Sequence, residues 1–242
     1  MAERLSNSRF NPCFYGRRKG RPLRVHRTRL MSELLPHILV KEASCVDVSN
    51  ETWLEIGFGG GEHIAEMAEQ HPDIQLIGCE VFENGIASLL QHIEEKNLQN
   101  ILIYPEDVRE FLKNLPSACL NKVFIMFPDP WPKKKHQKRR LVNRNFLDDV
   151  LRILKPEDAE LRFASDHEDY VKEALALVKG TGFFSDIILY DQKPADWPLT
   201  SYNQKAIQAG MNSWYLKAQN RKSHRRACSG FTCLDNLDTL AG

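Results

Sequence analysis

The feature that most constrains the fold is a regular alternation of short apolar segments with amphipathic ones. Seven short segments rich in β-branched and aromatic residues predict strands at 52–57, 75–80, 101–104, 122–127, 160–164, 185–190 and 213–217. Segments with helical spacing of apolar residues predict helices at 62–70, 83–96, 106–114, 144–154 and 167–179. Strands joined by single helices pair in parallel, so this order predicts an α/β fold with a doubly wound, mostly parallel seven-stranded sheet of Rossmann-like type.

Charge is distributed unevenly along the chain, although the formal net charge is only +1. Lys and Arg outnumber acids by nine to one in residues 1–30, by seven to none in 133–144, and by five to none in 217–226. A polyanion such as RNA would bind the first two segments, whereas the third is better explained as a solvated tail. Leucines at helical spacing predict one helix at 29–40. We therefore expect three parts: a basic arm at 1–28, one domain at 29–220 and a disordered tail at 221–242.

Several classes of protein are disfavoured by the composition. The apolar runs, such as Val123 to Phe127, are far shorter than the roughly 18 residues that a membrane span needs, and the N-terminus lacks the apolar core of a secretory signal. The six cysteines include no C-x-x-C pair, which argues against a zinc site or a disulfide framework. We expect a cytoplasmic protein without a bound metal.

A glycine-rich loop follows the first predicted strand and opens the next helix, where nucleotide-binding α/β proteins hold their ligands. Its acid and alternate glycines are Glu55, Gly57, Gly59 and Gly61. Glu62 stands where a dinucleotide fingerprint needs glycine, and its charge would repel a pyrophosphate. Glu80 could accept hydrogen bonds from ribose hydroxyls, and Asp107 could face an adenine edge. Three acids at successive strand ends predict a site for S-adenosylmethionine, a cationic nucleoside without phosphates; the alternative is a tight turn with capping acids.

A proline-rich segment follows the fourth predicted strand and continues into a run of cations, FPDPWPKKKHQKRR at 127–140. Its prolines fix the backbone around Asp129 and Trp131, at the same edge of the sheet as the glycine-rich loop. The carboxylate could accept hydrogen bonds from N1–H and the amine of a guanine, the indole could stack on a base, and the cations could neutralise phosphate. The alternative is a loop in which Asp129 caps the next turn and the lysines face water.

These motifs resemble those of the bacterial tRNA (guanine-N7-)-methyltransferases. The resemblance rests on Glu80, Asp107, LEIGFGGGE at 54–62, FPDPWPKKKHQKRR at 127–140, ASD at 164–166, PLTSYN at 198–203 and FYGRRKGR at 14–21. It covers about residues 10–218. It implies an enzyme that transfers a methyl group from S-adenosylmethionine to N7 of a guanine in tRNA, in the variable loop.

The resemblance also implies roles for individual residues, with Asp129 as the catalytic one. The implied contacts to S-adenosylmethionine are Glu55, Gly57, Gly59, Gly61, Glu80, Asp107 and Asp129. Those to the substrate guanine are Lys133, Asp166, Thr200, Ser201, Tyr202 and Asn203, and those to the tRNA are Arg17, Arg18, Lys135, His136, Lys138, Arg139 and Arg140. Guanine N7 carries a lone pair at neutral pH, so we expect Asp129 to position the base and offset its developing charge. Asp166 could equally cap the helix at 167–179.

One position departs from the family pattern: Asn203 stands where the family has a glutamate, and its amide can accept a hydrogen bond but brings no charge. Two alternatives remain open. One is an S-adenosylmethionine enzyme that acts on an exocyclic amine. Such enzymes often carry a [DN]-P-P-[FY] motif, which residues 128–131 only approximate. The other is an RNA-binding relative with a decayed site, which would have lost the acids and glycines. We expect no obligatory protein partner and a monomer or homodimer.

Overall fold

The computed structural model describes residues 18–40, 46, 49–198 and 212–220, which contain one seven-stranded sheet. The strands are β1 (Thr52–Ile56), β2 (Gln75–Cys79), β3 (Ile101–Tyr104), β4 (Lys122–Met126), β5 (Glu160–Ser165), β6 (Asp186–Tyr190) and β7 (Trp214–Gln219). Their order is β3-β2-β1-β4-β5-β7-β6, with β1 to β5 parallel and β7 antiparallel to its two neighbours. The predicted doubly wound, mostly parallel sheet is confirmed.

The described helices cover both faces of this sheet. They are α1 (Val25–Glu33), α2 (Leu35–Ile38), α3 (Glu62–Gln70), α4 (Glu83–Lys96), α5 (Val108–Asn114), α6 (Arg144–Ile153) and α7 (Glu168–Lys179). Helices α5, α6 and α7 contribute to one apolar cluster, with Phe111 and Val150 buried in it, and α1, α3 and α4 contribute to a second, with Leu30 and Leu89. Because β1 lies between the two layers, all five of its residues are buried.

Side-chain caps fix where two of the helices begin. Helix α5 begins at Val108, two residues later than the sequence predicts, because Asp107 is its N-cap and accepts the backbone N–H of Arg109 at 3.0 Å. Helix α6 follows Asn143, whose side chain accepts the N–H of Phe146 at 3.2 Å. These caps satisfy N–H groups that have no partner inside the helix.

The N-terminal helical region differs from the single helix predicted at 29–40. Helix α1 begins earlier, at Val25, and the short α2 follows it after one residue. The break occurs next to Pro36, which has no N–H to donate to the preceding turn. Leu30 is buried, so α1 packs on the domain. No helix in the described ranges has the length and apolar character needed to cross a membrane.

Candidate active site

The predicted site residues converge on the carboxyl edge of the sheet. Strands β2 and β3 lie on one side of β1, and β4 and β5 lie on the other, so the strand order reverses between β1 and β4. Ligands of open α/β sheets bind in the crevice at such a switch point. The loop at 57–61 follows β1, Glu80 follows β2, Asp107 lies beyond β3, Asp129 follows β4 and Asp166 follows β5.

The glycine-rich loop is a tight turn that only glycine can follow without strain. Gly57, Gly59 and Gly61 have φ of 71°, 57° and 84°, in the left-handed region that disfavours other residues. The N–H of Gly57 donates to the carbonyl of Cys79 at 2.8 Å, which ties the loop to the end of β2. A Cβ at Gly57 would meet no atom within 4 Å, so the backbone there is open to a ligand.

Glu80 connects the end of β2 to the glycine-rich loop. One carboxylate oxygen, Oε2, accepts the N–H of Gly59 at 2.9 Å, and the other, Oε1, accepts the N–H groups of Val81 at 2.8 Å and Phe82 at 2.9 Å. Burial raises the pKa of Glu80, and these three hydrogen bonds oppose that rise. A carboxylate has about four acceptor positions, so Oε2 keeps capacity for a ligand hydroxyl.

Glu55 is paired inside the protein with a histidine. Its Oε2 lies 2.7 Å from Nδ1 of His63, and the two side chains are only 3% and 2% exposed. The second ring nitrogen of His63, Nε2, is buried without a hydrogen-bond partner among the described groups. The sequence analysis missed this role, although His63 lies in the first turn after the loop.

Asp107 is engaged by its own helix. Its carboxylate accepts the backbone N–H of Arg109 and forms a two-pronged pair with the guanidinium, with Nη2 2.6 Å from Oδ2. The Asp107 side chain is 11% exposed. Asp107 therefore caps α5, and a contact with the cofactor would be a second role for the same carboxylate.

Asp129 lies in the proline-rich loop, with its side chain exposed. Its carboxylate makes no hydrogen bond or ion pair with another described residue. Phe127 and Trp131 flank it with φ of 52° and 43°, values that cost a bulky residue about 1–3 kcal/mol each. The N–H of Phe127 donates to the carbonyl of Ala164 at 2.8 Å, which anchors the loop to β5. Strain of this kind persists only where surrounding contacts enforce it, and it clusters at active sites.

The basic run forms a short 3-10 helix at Lys134–Arg139. Lys133, Lys135 and Lys138 are exposed, whereas the Arg139 guanidinium lies 4.9 Å from the Trp131 ring centre. Partial desolvation, together with the charges of Arg139, Lys133 and Lys138, lowers the pKa of His136, which is therefore neutral at pH 7.

Arg140 differs from the cations before it. Its side chain is 3% exposed, and its Nε donates to the carbonyl of Pro130 at 2.9 Å. The sequence analysis grouped Arg140 with the RNA contacts, but the structure places its charge inside the protein because Glu173 pairs with it there.

The described end of the basic arm lies across the start of α4. The N–H of Gly20 donates to Oδ1 of Asn84 at 2.8 Å, and Nδ2 of Asn84 donates to the carbonyl of Arg21 at 2.8 Å. Arg18 pairs with Glu106 at 3.4 Å, between β3 and α5. The arm is thereby attached beside the loops that carry Glu80 and Asp107. Sequence reasoning missed Asn84, which no motif marks.

Asp166 is exposed after β5 and does not cap α7. The turn is made instead by Ser165, whose hydroxyl accepts the N–H of His167 at 3.1 Å, and no side chain at the N-cap position bonds to the helix. The predicted contacts Arg17, Thr200, Ser201, Tyr202 and Asn203 lie outside the described residues.

The fold and the residues at the carboxyl edge of the sheet together indicate the class of protein. A doubly wound sheet with an acid-lined glycine loop at its switch point is the arrangement expected of a Rossmann-like, S-adenosylmethionine-dependent methyltransferase. The profile of a family described as "Putative methyltransferase" matches residues 49–216. The solved "Structure of an Antibiotic Related Methyltransferase" superposes with a TM-score of 0.53 at 16% identity, covering 75% of this chain and 98% of that one, which supports the fold.

Sequence relatives narrow the class further. The tRNA (guanine-N(7)-)-methyltransferase of Rhodospirillum rubrum is 42% identical over 224 residues, which are 86% of this chain and 88% of the relative. That of Paramagnetospirillum magneticum is 43% identical over 219 residues, 85% of this chain and 92% of the relative. The chain belongs to the tRNA (guanine-N(7)-)-methyltransferase family. Membership favours N7 chemistry over the exocyclic-amine and non-catalytic alternatives.

Proposed function

We propose that this protein methylates N7 of the variable-loop guanine of tRNA, with Asp129 facing the reacting purine. Methyl transfer from S-adenosylmethionine to guanine N7 of tRNA is the activity of its family, and the chain is an enzyme of that kind. The assignment of Asp129 is supported by its exposed carboxylate, which follows β4, makes no hydrogen bond or ion pair with another described residue and lies between two strained residues.

The cofactor would lie on the glycine-rich loop and Glu80. The open backbone at Gly57 allows close approach, and Oε2 of Glu80 has capacity for a ribose hydroxyl. Glu62 folds over the loop, since its carboxylate oxygens lie 2.7 Å from where a Cβ at Gly60 would stand. The buried carboxylate of Glu55, in β1 just before the loop, adds negative charge to the site. This set fits a cation without phosphates. When bound, S-adenosylmethionine supplies a methyl group on a positively charged sulfur.

Asp129 would act by positioning and charge. Guanine N7 attacks with a lone pair that needs no deprotonation, so a general base is unnecessary. An ionised carboxylate at N1–H and the exocyclic amine fixes the plane of the base and offsets the positive charge that the purine gains. Lys133 and Asp166, both exposed at this edge, would contact the guanine. The segment at 200–203 would add further contacts, from Thr200, Ser201, Tyr202 and Asn203.

The tRNA backbone would meet the exposed cations of the basic run and the arm. Lys135, Lys138 and Arg18 are the exposed candidates, Arg139 is a partly buried one, and Arg17 would extend the arm. His136, in the same 3-10 helix, would contact the RNA beside these cations. We propose that the enzyme works in the cytoplasm as a monomer or homodimer, without an obligatory protein partner.

The test uses two unmodified tRNA transcripts that differ only in whether the variable-loop guanine is replaced by adenine. Each is incubated with the enzyme and S-adenosylmethionine, digested and examined by nucleoside mass spectrometry. We expect 7-methylguanosine from the first transcript alone. Equal 7-methylguanosine from both would refute the variable-loop position, and a base methylated on an exocyclic amine would support the amine alternative. Bound tRNA without any methylated product would support the decayed site.

A further inference from the structure

The buried guanidinium of Arg140 is held on three sides. Nε donates to the Pro130 carbonyl at 2.9 Å, Nη1 pairs with the Glu173 carboxylate, and the group lies over the Tyr170 ring with its carbon 4.8 Å from the ring centre. The remaining nitrogen, Nη2, is shielded from solvent and has no hydrogen-bond partner among the described groups. No guanidinium nitrogen of Arg140 is therefore presented to a phosphate.

Two of the partners of Arg140, Tyr170 and Glu173, belong to helix α7. Tyr170 is fully buried in α7, and its hydroxyl accepts the N–H of Val142 at 3.0 Å. Glu173 lies one turn further along the same helix. Helix α7 thus holds both the side chain of Arg140 and the backbone two residues after it, so the cation is fixed relative to β5 and the sheet.

The group that Arg140 holds is the peptide next to the strained residue of the loop. The Pro130 carbonyl belongs to the peptide bond that leads into Trp131, whose φ is 43°. Fixing this carbonyl fixes the orientation of that peptide, and the prolines on both sides of Asp129 transmit the constraint because their φ cannot change. The hydrogen bond therefore restrains Asp129 without touching it.

We propose that Arg140 is a positioning residue for Asp129: it clamps the strained loop to α7 and makes no contact with tRNA. The inference rests on the proposed function, since it assigns Arg140 a role only if the placement of Asp129 matters. It separates two kinds of cation within one basic run. Exposed cations such as Lys138 bind phosphate, and buried Arg140 holds the catalytic loop.

The two roles predict opposite kinetic signatures. Losing a phosphate contact, as in Lys138→Gln, raises KM for tRNA and lowers the slope of log affinity against log salt by about 0.7–0.9. Losing the clamp, as in Arg140→Lys, lowers kcat by about tenfold or more and leaves KM for tRNA and that slope unchanged, because lysine keeps the charge but loses the fork. Glu173→Gln, a milder change at a half-exposed partner, should lower kcat in the same direction. Lys172→Gln is the matched control, since Lys172 is exposed on the same helix and its ion pair is with Glu168, one turn away.

The experiment measures kcat, KM for tRNA and the salt slope for these variants, for Asp129→Asn and for Asp129→Asn/Arg140→Lys, with thermal melts to confirm folding. If Arg140 acts through Asp129, the double variant is no slower than Asp129→Asn alone. Multiplying effects, or a raised KM with a lower salt slope and normal kcat in Arg140→Lys, would overturn the inference while leaving the role of Asp129 intact. Full activity of Asp129→Asn would instead refute the proposed role of Asp129, and the clamp with it.

Discussion

Gly85 offers the sharpest test of how the cofactor loop is built. It is the third residue of α4 and packs directly against the backbone of the glycine-rich loop. A Cβ at this position would lie 2.3 Å from the carbonyl oxygen of Gly59 and 3.5 Å from Cγ of Glu80. Real contacts essentially never fall below 3.0 Å, so Gly85→Ala forces the two backbones apart by at least about 0.7 Å. No side-chain rotation can relieve this clash.

The effects on stability and on binding differ in size. Alanine favours a helix by about 1 kcal/mol over glycine, and overpacking costs about 1–3 kcal/mol, so the clash by itself should lower the free energy of unfolding by about 0–2 kcal/mol. The displaced peptide, however, carries the Gly59 N–H that donates to Glu80 at 2.9 Å. A hydrogen bond to a charged group contributes about 1.5–3 kcal/mol. Its loss adds to the cost in stability, and displacement of the loop on which the cofactor would lie should weaken S-adenosylmethionine binding by about tenfold or more.

The assay is isothermal titration with S-adenosylmethionine, paired with urea unfolding of the same samples. Gly180→Ala is the matched control, because Gly180 caps the far end of α7 with ordinary helical φ and lies outside the site. It should bind the cofactor as the parent does. Unchanged affinity in folded Gly85→Ala would refute the idea that this close approach sets the loop, and a collapse of stability would show that the strain spreads beyond it.

Three further predictions concern other contacts of the site. Because burial raises the pKa of Glu80, its carboxylate is protonated at a higher pH than that of an ordinary glutamate, and cofactor affinity should fall there as the acceptor is lost; titrations of binding from pH 8 to 4.5 should show this. The stability of the protein without cofactor should change in the opposite direction. A raised pKa in the folded state stabilises the fold at low pH, and that stability is lost as the pH rises through the folded pKa. Asn84→Ala removes both hydrogen bonds to the arm and should raise KM for tRNA several-fold in steady-state assays, with cofactor affinity intact. His63→Ala leaves Glu55 buried without its hydrogen-bond partner and should lower the free energy of unfolding in urea by about 1.5–3 kcal/mol, the contribution of a hydrogen bond to a charged group.

The sheet could be predicted from sequence because its signals are local and repeated. Strands alternate with amphipathic helices, and the central strands are largely apolar: β1 is buried along its whole length and contains Trp53, Leu54 and Ile56 among its five residues. The strand-end position of Asp129 follows from the same pattern. The start of the N-terminal helix was predicted too late because the first turn of α1 buries no apolar side chain. Val25, its one apolar residue, is 89% exposed, so this turn has no periodic apolar pattern.

The roles of Arg140 and His63 could not be predicted because they depend on distant partners. Within KKKHQKRR nothing distinguishes Arg140 from the other cations until α7 supplies Glu173 and Tyr170. The Glu55–His63 pair likewise depends on the turn that brings the start of α3 back over β1. Burial of a charge is decided by tertiary packing, which residue type does not encode.

The central claim is that Asp129 promotes methyl transfer to guanine N7, and a single-turnover reaction tests it most directly. Unmodified tRNA is mixed with saturating S-adenosylmethionine and an excess of either the parent enzyme or Asp129→Asn, and 7-methylguanosine is followed over time. Asparagine keeps the shape but loses the charge that would offset the purinium, so the rate constant should fall by about 100-fold or more while tRNA still binds. An unchanged rate constant would contradict the account, and the free carboxylate at the end of β4 would then have no part in the reaction.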